Sequence, residues 1–139
     1  MLEIRLLDWP AAQAEAQRIR FTVFVEEQRV PPELEMDEHD ASCIHALALV
    51  DGRAVGTGRL LPDGHIGRMA VLKTWRGRGA GRALLRALVD AARRRGDPEV
   101  ALNSQVQALG FYRAEGFEAV GAVYEEAGIP HQAMRMKLA

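Results

Sequence analysis

Apolar and polar positions alternate over Leu2-Glu3-Ile4-Arg5-Leu6, a period of two that predicts a first strand. After Pro10 the period lengthens: Ala12, Ala16, Ile19 and Val23 recur at helical spacing, so an amphipathic helix follows. Pro31-Pro32 and the acidic stretch through Asp40 break that pattern and read as a loop. Two apolar runs, 44–50 and 54–61, are joined across Asp51-Gly52, a hairpin signal, and Pro62-Asp63-Gly64 marks a second turn. It leads into His65-Ile66-Gly67-Arg68-Met69-Ala70-Val71-Leu72, a further strand. Helical spacing returns with Ala80, Leu84, Leu88 and Ala91 on one face and Arg82, Arg86 and Arg93 on the other, and Gly96-Asp97-Pro98 stops it. Val100-Ala101-Leu102-Asn103 predicts another strand, followed by a helix around Tyr112 and a strand from Phe117. In a terminal strand, Met134, Met136 and Leu138 alternate with Arg135 and Lys137.

Hairpins first and then strand, helix, strand predict an α/β (α+β) chain with one mixed, mostly antiparallel sheet, in which the 65–72 and 100–103 strands form a parallel pair. A ligand belongs at the end of that pair. The 139 residues read as a single domain, 1–139, without repeats, linkers or low-complexity tracts, and long enough to bury roughly two-thirds of the unfolded chain's surface. A hydrophobic content of 48% and a formal net charge of −1 give no global reason to expect nucleic acid or a membrane as partner. The single cysteine, Cys43, excludes an internal disulfide framework; with no signal peptide or long apolar run in view, a cytoplasmic location is expected.

Chemistry concentrates at Arg76-Gly77-Arg78-Gly79-Ala80-Gly81, between the 65–72 strand and the long helix. Glycines there contribute little to a core but leave backbone N–H groups bare at a helix N-terminus, where unpaired donors and the peptide dipoles together favour an anion. A P-loop would need Lys-Ser or Lys-Thr after its last glycine, and the lysines, Lys73 and Lys137, do not fit. A dinucleotide turn would need glycine where Arg82 stands and an acidic residue ending the next strand, whereas Asp97 precedes it. The pattern that remains is Arg, two residues, Gly, one residue, Gly.

That loop resembles the acetyl-CoA loop of the GNAT superfamily of N-acetyltransferases. The resemblance continues in Ala108-Leu109-Gly110-Phe111-Tyr112-Arg113-Ala114-Glu115-Gly116-Phe117, similar to the superfamily's A-x-x-F-Y-x-x-x-G-F segment. It extends to Arg20-Phe21-Thr22-Val23-Phe24-Val25-Glu26-Glu27-Gln28, Glu35-Met36-Asp37-Glu38-His39-Asp40 and Glu126-Ala127-Gly128-Ile129-Pro130-His131, which look like the ElaA-like branch. It implies a GNAT fold whose parallel pair splays, and an acetyl-CoA-dependent acyltransferase working by direct transfer in a ternary complex. The acceptor is then an amine on a small molecule or peptide, and a homodimer is an allowed assembly. An acyl-CoA-binding regulatory or interaction module with little turnover is the alternative.

The resemblance carries cofactor contacts onto Arg76, Gly77, Arg78, Gly79, Ala80, Gly81 and Arg82 for the phosphates. Backbone groups of Met69, Ala70 and Val71, with Asn103, would meet the pantetheine arm, and a backbone N–H near Met69 would meet the oxyanion. Tyr112 is the expected proton donor, because a phenol with a pKa of ~10 is protonated at neutral pH. Glu26 and Glu27, at the end of the first helix, and His131 compete as general base. The 37–40 segment reads as a solvated or substrate-attracting acidic loop and not a metal site, since zinc would want more Cys and His ligands. Cys43 and His45 read as core residues.

Overall fold

The computed structural model describes residues 1–138. Strand β1 (Leu2–Leu7) pairs antiparallel with β2 (Ile44–Val50), β2 with β3 (Arg53–Leu60) and β3 with β4 (Ile66–Val71), forming a four-stranded sheet in that order. Helix α1 (Trp9–Arg20) packs on this sheet through Ala16, against Leu47 and Leu49, and Ile19, against Ala54 and Ala70. Its start is chemically determined. The Asp8 carboxylate accepts the Ala11 N–H at 3.1 Å, and Pro10 occupies the first turn, where its missing N–H has no partner to lose. The periodicity through Val23 suggests one continuous helix; beyond Arg20 it widens into a π-helical segment, Phe21–Glu27. The stretch predicted as loop contains the short helix α2 (Pro32–Glu35) and a 3₁₀ segment, Glu38–Ser42.

Helix α3 (Ala80–Arg95) buries Leu84, Leu85 and Leu88 and stops at Gly96, whose left-handed φ of 89° lets the chain turn away. Then come β5 (Glu99–Gln105), α4 (Leu109–Ala114), β6 (Glu118–Glu126) and β7 (Ile129–Lys137). The last strand lies between β5 and β6, antiparallel to both, so this second sheet runs β5-β7-β6. A continuous apolar core joins the two sheets: Val55 and Leu60 of β3, Leu84 and Leu88 of α3, Val100 and Leu102 of β5 and Met134 of β7 form one buried cluster.

The backbone is less continuous than the core. Where the sequence predicts a parallel pair, β4 and β5 meet at one bridge, His65 with Ala101, and the Ala101 N–H donates to the Gly64 carbonyl at 3.1 Å. Gly64 makes that approach possible. Its φ is +92°, and an added Cβ would lie 2.9 Å from the Glu99 carbonyl oxygen.

A second constraint is ionic. Three guanidinium groups, those of Arg20, Arg59 and Arg68, face three carboxylates, Glu35, Asp37 and Asp40. Arg20, 1% exposed, bonds Glu35 and takes both Asp40 oxygens at 2.9 and 3.1 Å. Arg59 bridges Asp40 at 2.9 Å and Asp37 at 2.7 Å. Burial alone would raise the Asp40 pKa, but Arg20 and Arg59 outweigh it and hold the carboxyl below its ordinary range. Asp37 is held far lower, chiefly by its hydrogen bonds to Arg59. The 37–40 segment is therefore not the solvated acidic loop its composition predicts: Asp37 and Asp40 turn inward to neutralise arginines from α1, β3 and β4. Cys43 and His45 are buried here, with His45 Nε2 2.8 Å from the Asp40 carbonyl.

Two outcomes are expected. Gly64→Ala lowers stability by about 1–3 kcal/mol in a urea titration, since strain and a backbone clash fall on the only stitch between β4 and β5 among the described residues. Asp40→Asn costs about 3–5 kcal/mol at pH 7 because it leaves buried arginines short of counter-charge. A depressed carboxyl stabilises the fold above its unfolded pKa of ~4 and loses that contribution as pH falls toward the folded value. The melting-temperature gap between wild type and Asp40→Asn should thus close between about pH 5 and pH 2; a gap independent of pH would contradict the network's role.

Candidate active site

Past the stitch, β4 and β5 diverge around a cleft of ≈ 460 Å³. Part of the β4 backbone turns toward it. Leu72 N–H donates to the Val55 carbonyl at 2.9 Å, so residue 72 points toward β3, and by the two-residue alternation of a strand Val71 points toward the split. The Val71 carbonyl is engaged there by Arg76 Nε at 2.9 Å. Just upstream, the β3–β4 register slips between Thr57 and Arg59, and β4 carries an extra residue at Arg68 and Met69.

The glycine turn lies at the end of β4. A 3₁₀ turn, Lys73–Trp75, passes the chain into it, and α3 begins with Gly79 as its cap at φ 89°, with no side chain bonded to its first-turn amides. Cβ atoms added at Gly77 or Gly79 would meet nothing within 4 Å, so the turn is open and not filled by its own side chains. First-turn amides have no intrahelical acceptor. The flanking arginines are each engaged: Arg76 pairs with Glu27 at 2.6 and 2.7 Å, Arg78 lies 5.0 Å over the Trp75 ring, and Arg82 is 3.5 Å from Glu115. An anion bound at the turn would compete with Glu27 for Arg76.

Across the cleft stands Tyr112 of α4, edge-on to Phe111 at 5.0 Å and Phe117 at 6.0 Å between ring centroids. Burial among these rings pushes its phenol up to about 12. Its hydroxyl has no hydrogen-bond partner among the described residues. Asn103, on β5 opposite Ala133 of β7, also lines the cleft with an exposed side chain.

The three candidate bases fall in different places. Glu26 is exposed outside the cleft lining. Glu27 is held below its ordinary pKa, first by its hydrogen bonds to Arg76, so it is a weak proton acceptor while that pair lasts. His131 is 8% exposed, where a strand-start histidine is more often on the surface, and it lines the cleft. Its Nδ1 lies 2.7 Å from the Ile129 carbonyl, and its ring stacks on Tyr124. A carbonyl only accepts, so Nδ1 carries a proton, and in the neutral ring Nε2 is the nitrogen that holds the lone pair. The structure thus brings Met69, Ala70, Val71, Arg76, Asn103, Tyr112 and His131 to one cleft, and leaves Glu26, Glu27 and the turn residues Gly77, Arg78, Gly79, Ala80, Gly81 and Arg82 outside its lining. Sequence reading missed Arg68 and the Gln28–Gln105 hydrogen bond of 2.9 Å that ties the π-helical segment to β5. An arginine within an apolar strand was the available signal for Arg68; nothing in the sequence marks the glutamine pair.

The Acetyltransferase (GNAT) domain model matches residues 10–138, and the chain belongs to the GNAT acetyltransferase family. It is similar to the uncharacterized N-acetyltransferase YjcF of Bacillus subtilis, 38% identical over 120 residues, covering 84% of this chain and 86% of the relative. Among solved structures it resembles Escherichia coli ElaA, with 29% identity, a TM-score of 0.87 and coverage of 99% of this chain and 100% of ElaA. An acyl-CoA N-acyltransferase from Pseudomonas aeruginosa superposes with a TM-score of 0.87 at 32% identity, covering 98% and 99% of the two chains. The family uses acyl-CoA as cosubstrate, and this chain's open turn, bare helix start and parted strands suit that ligand. No helix among the described residues is long and apolar enough to cross a membrane.

Gly79→Ala forces a side chain into a left-handed backbone beside the bare amides. Coenzyme A affinity measured by calorimetry should fall about 5–30-fold, and an unchanged affinity would disconnect the turn from the ligand.

Proposed function

We propose that this protein moves an acetyl group from acetyl-CoA to the amine of a small molecule by direct transfer within a ternary complex. The observation that carries the reading is a cleft where β4 and β5 part, lined by a tyrosine whose hydroxyl has no protein partner and by Arg76, from which the chain runs directly into the open turn at the start of α3. In this reading the amides of Gly77 to Arg82 hold the pyrophosphate. Backbone groups of Met69 and Val71 orient the pantetheine arm as an added strand would, with Asn103 facing them from β5. The N–H near Met69 meets the developing oxyanion, and being a fixed dipole it needs no reorganisation.

His131 is the favoured base, because its Nε2 is free while the Glu27 charge is spent on Arg76. Tyr112 donates to the leaving sulfur. A phenol near 12 is a weaker acid than a thiol of ~8.5, so Tyr112 stabilises the thiolate by hydrogen bonding while the net proton comes from the acceptor nitrogen. It also remains protonated across the working pH range.

Tyr112→Phe should lower kcat about 100-fold with coenzyme A affinity within about twofold of wild type, read by steady-state kinetics on an amine panel and by calorimetry. In wild type, no alkaline loss of activity attributable to Tyr112 is expected below about pH 11. A wild-type protein that binds coenzyme A yet acetylates no amine would instead support an acyl-CoA-binding module.

A further inference from the structure

Arg68 stands in an unusual backbone. Its φ is 49°, at the point where β4 carries its extra residue opposite Gly58. A large side chain at positive φ is strained and persists where its surroundings over-determine it. Here they do. Arg68 Nε lies 3.3 Å from the Glu35 carbonyl, while Nη2 lies 3.1 Å from Asp37 and 3.4 Å from the Leu34 carbonyl. All these contacts fall on one edge of the guanidinium. Nη1 makes none among the described residues, and the side chain, 28% exposed, lines the cleft. Arg59, on the same wall, has a buried Nε with no partner. Arg59 Nε is shut off behind the wall, so the donor open to the cleft is Arg68 Nη1, a fixed charged N–H that points to an acceptor supplied by a ligand.

The six charged groups of the network cancel, so the wall offers directed donors more than a strong positive field. Asp37 and Glu35 behind it would repel a phosphate dianion more than a carboxylate monoanion. Arg68 also directly precedes Met69, where the thioester carbonyl sits in the reading above. A carboxylate on Nη1 therefore leaves an amine on the adjacent carbon near the reacting centre, and Leu34, Val30 and Phe24 supply apolar lining for a side chain. We infer that Arg68 is a specificity residue that holds the carboxylate of an acceptor of the amino-acid type, with Arg59 behind it. This rests on the transferase function proposed above. The step balances: the acceptor nitrogen forms the C–N bond, the C–S bond breaks with its electron pair on sulfur, and the proton lost by nitrogen ends on the thiol. The products are an N-acetylated amino acid and coenzyme A.

The test compares leucine, methionine and phenylalanine with the amines that lack their carboxylate, with coenzyme A uptake measured on every sample. In wild type, kcat/KM should favour the amino acids by about 10–100-fold, the range for a charge-assisted hydrogen bond. In Arg68→Gln, checked for folding by its melting curve, that preference should collapse through the amino acids' KM, and Arg68→Lys should restore part of it. Equal rates for the paired amines in wild type, or an equal loss for both in Arg68→Gln, would overturn this inference alone. Normal coenzyme A binding with none of the amines acetylated would overturn it together with the transferase reading.

Discussion

A backbone N–H or C=O kept from both water and a neighbouring strand is costly, so a sheet leaves adjacent strands unpaired only where another partner completes them. In this protein the constraint acts between β4 and β5. One hydrogen bond, from Ala101 to Gly64, brings the strands together, and they then separate while the apolar core beneath them stays intact. Because Leu84 and Leu88 of α3 pack with residues of both sheets, the split costs backbone pairing without costing core burial. The cleft is a consequence of that division of labour.

Charge is arranged with the same economy. The arginines near the glycine turn are all engaged, Arg76 by Glu27, Arg78 by Trp75 and Arg82 by Glu115. They are thus presented in defined places before a ligand arrives, at the cost of a competitor at each. Glu27 is both a partner of the loop and the last residue of the π-helical segment that borders the cleft. The Arg76–Glu27 pair thus joins the glycine turn to that segment. On the opposite wall, the network of Arg20, Arg59 and Arg68 with Glu35, Asp37 and Asp40 joins α1, the 32–42 segment, β3 and β4.

Most elements were legible in the sequence, because the signals that specify them span only a few residues. Asp51-Gly52 turns the β2–β3 hairpin, Gly96-Asp97-Pro98 ends α3, and the alternation of Met134, Met136 and Leu138 marks β7. The open glycine turn was equally local: its conformation depends on residues that lack a Cβ, and neighbours from elsewhere in the chain do not fill it. The widening of α1 past Arg20 was not legible, since apolar spacing at 19 and 23 suits an α-helix as well as a π-helical turn.

The sequence alone determined the order of the strands and main helices, the family, and the bare helix start, since periodicity, turn chemistry and helix-end electrostatics act within one or two turns of chain. Tertiary structure decided how those elements share partners. It placed β7 between β5 and β6, turned Asp37 and Asp40 inward onto arginines about twenty residues away, buried His131 against Tyr124, and aimed Arg68 into the cleft through a left-handed backbone. These outcomes depend on which distant groups satisfy one another once the core has closed, and a buried charge or unpaired amide takes its partner from the folded neighbourhood, not from the adjacent sequence.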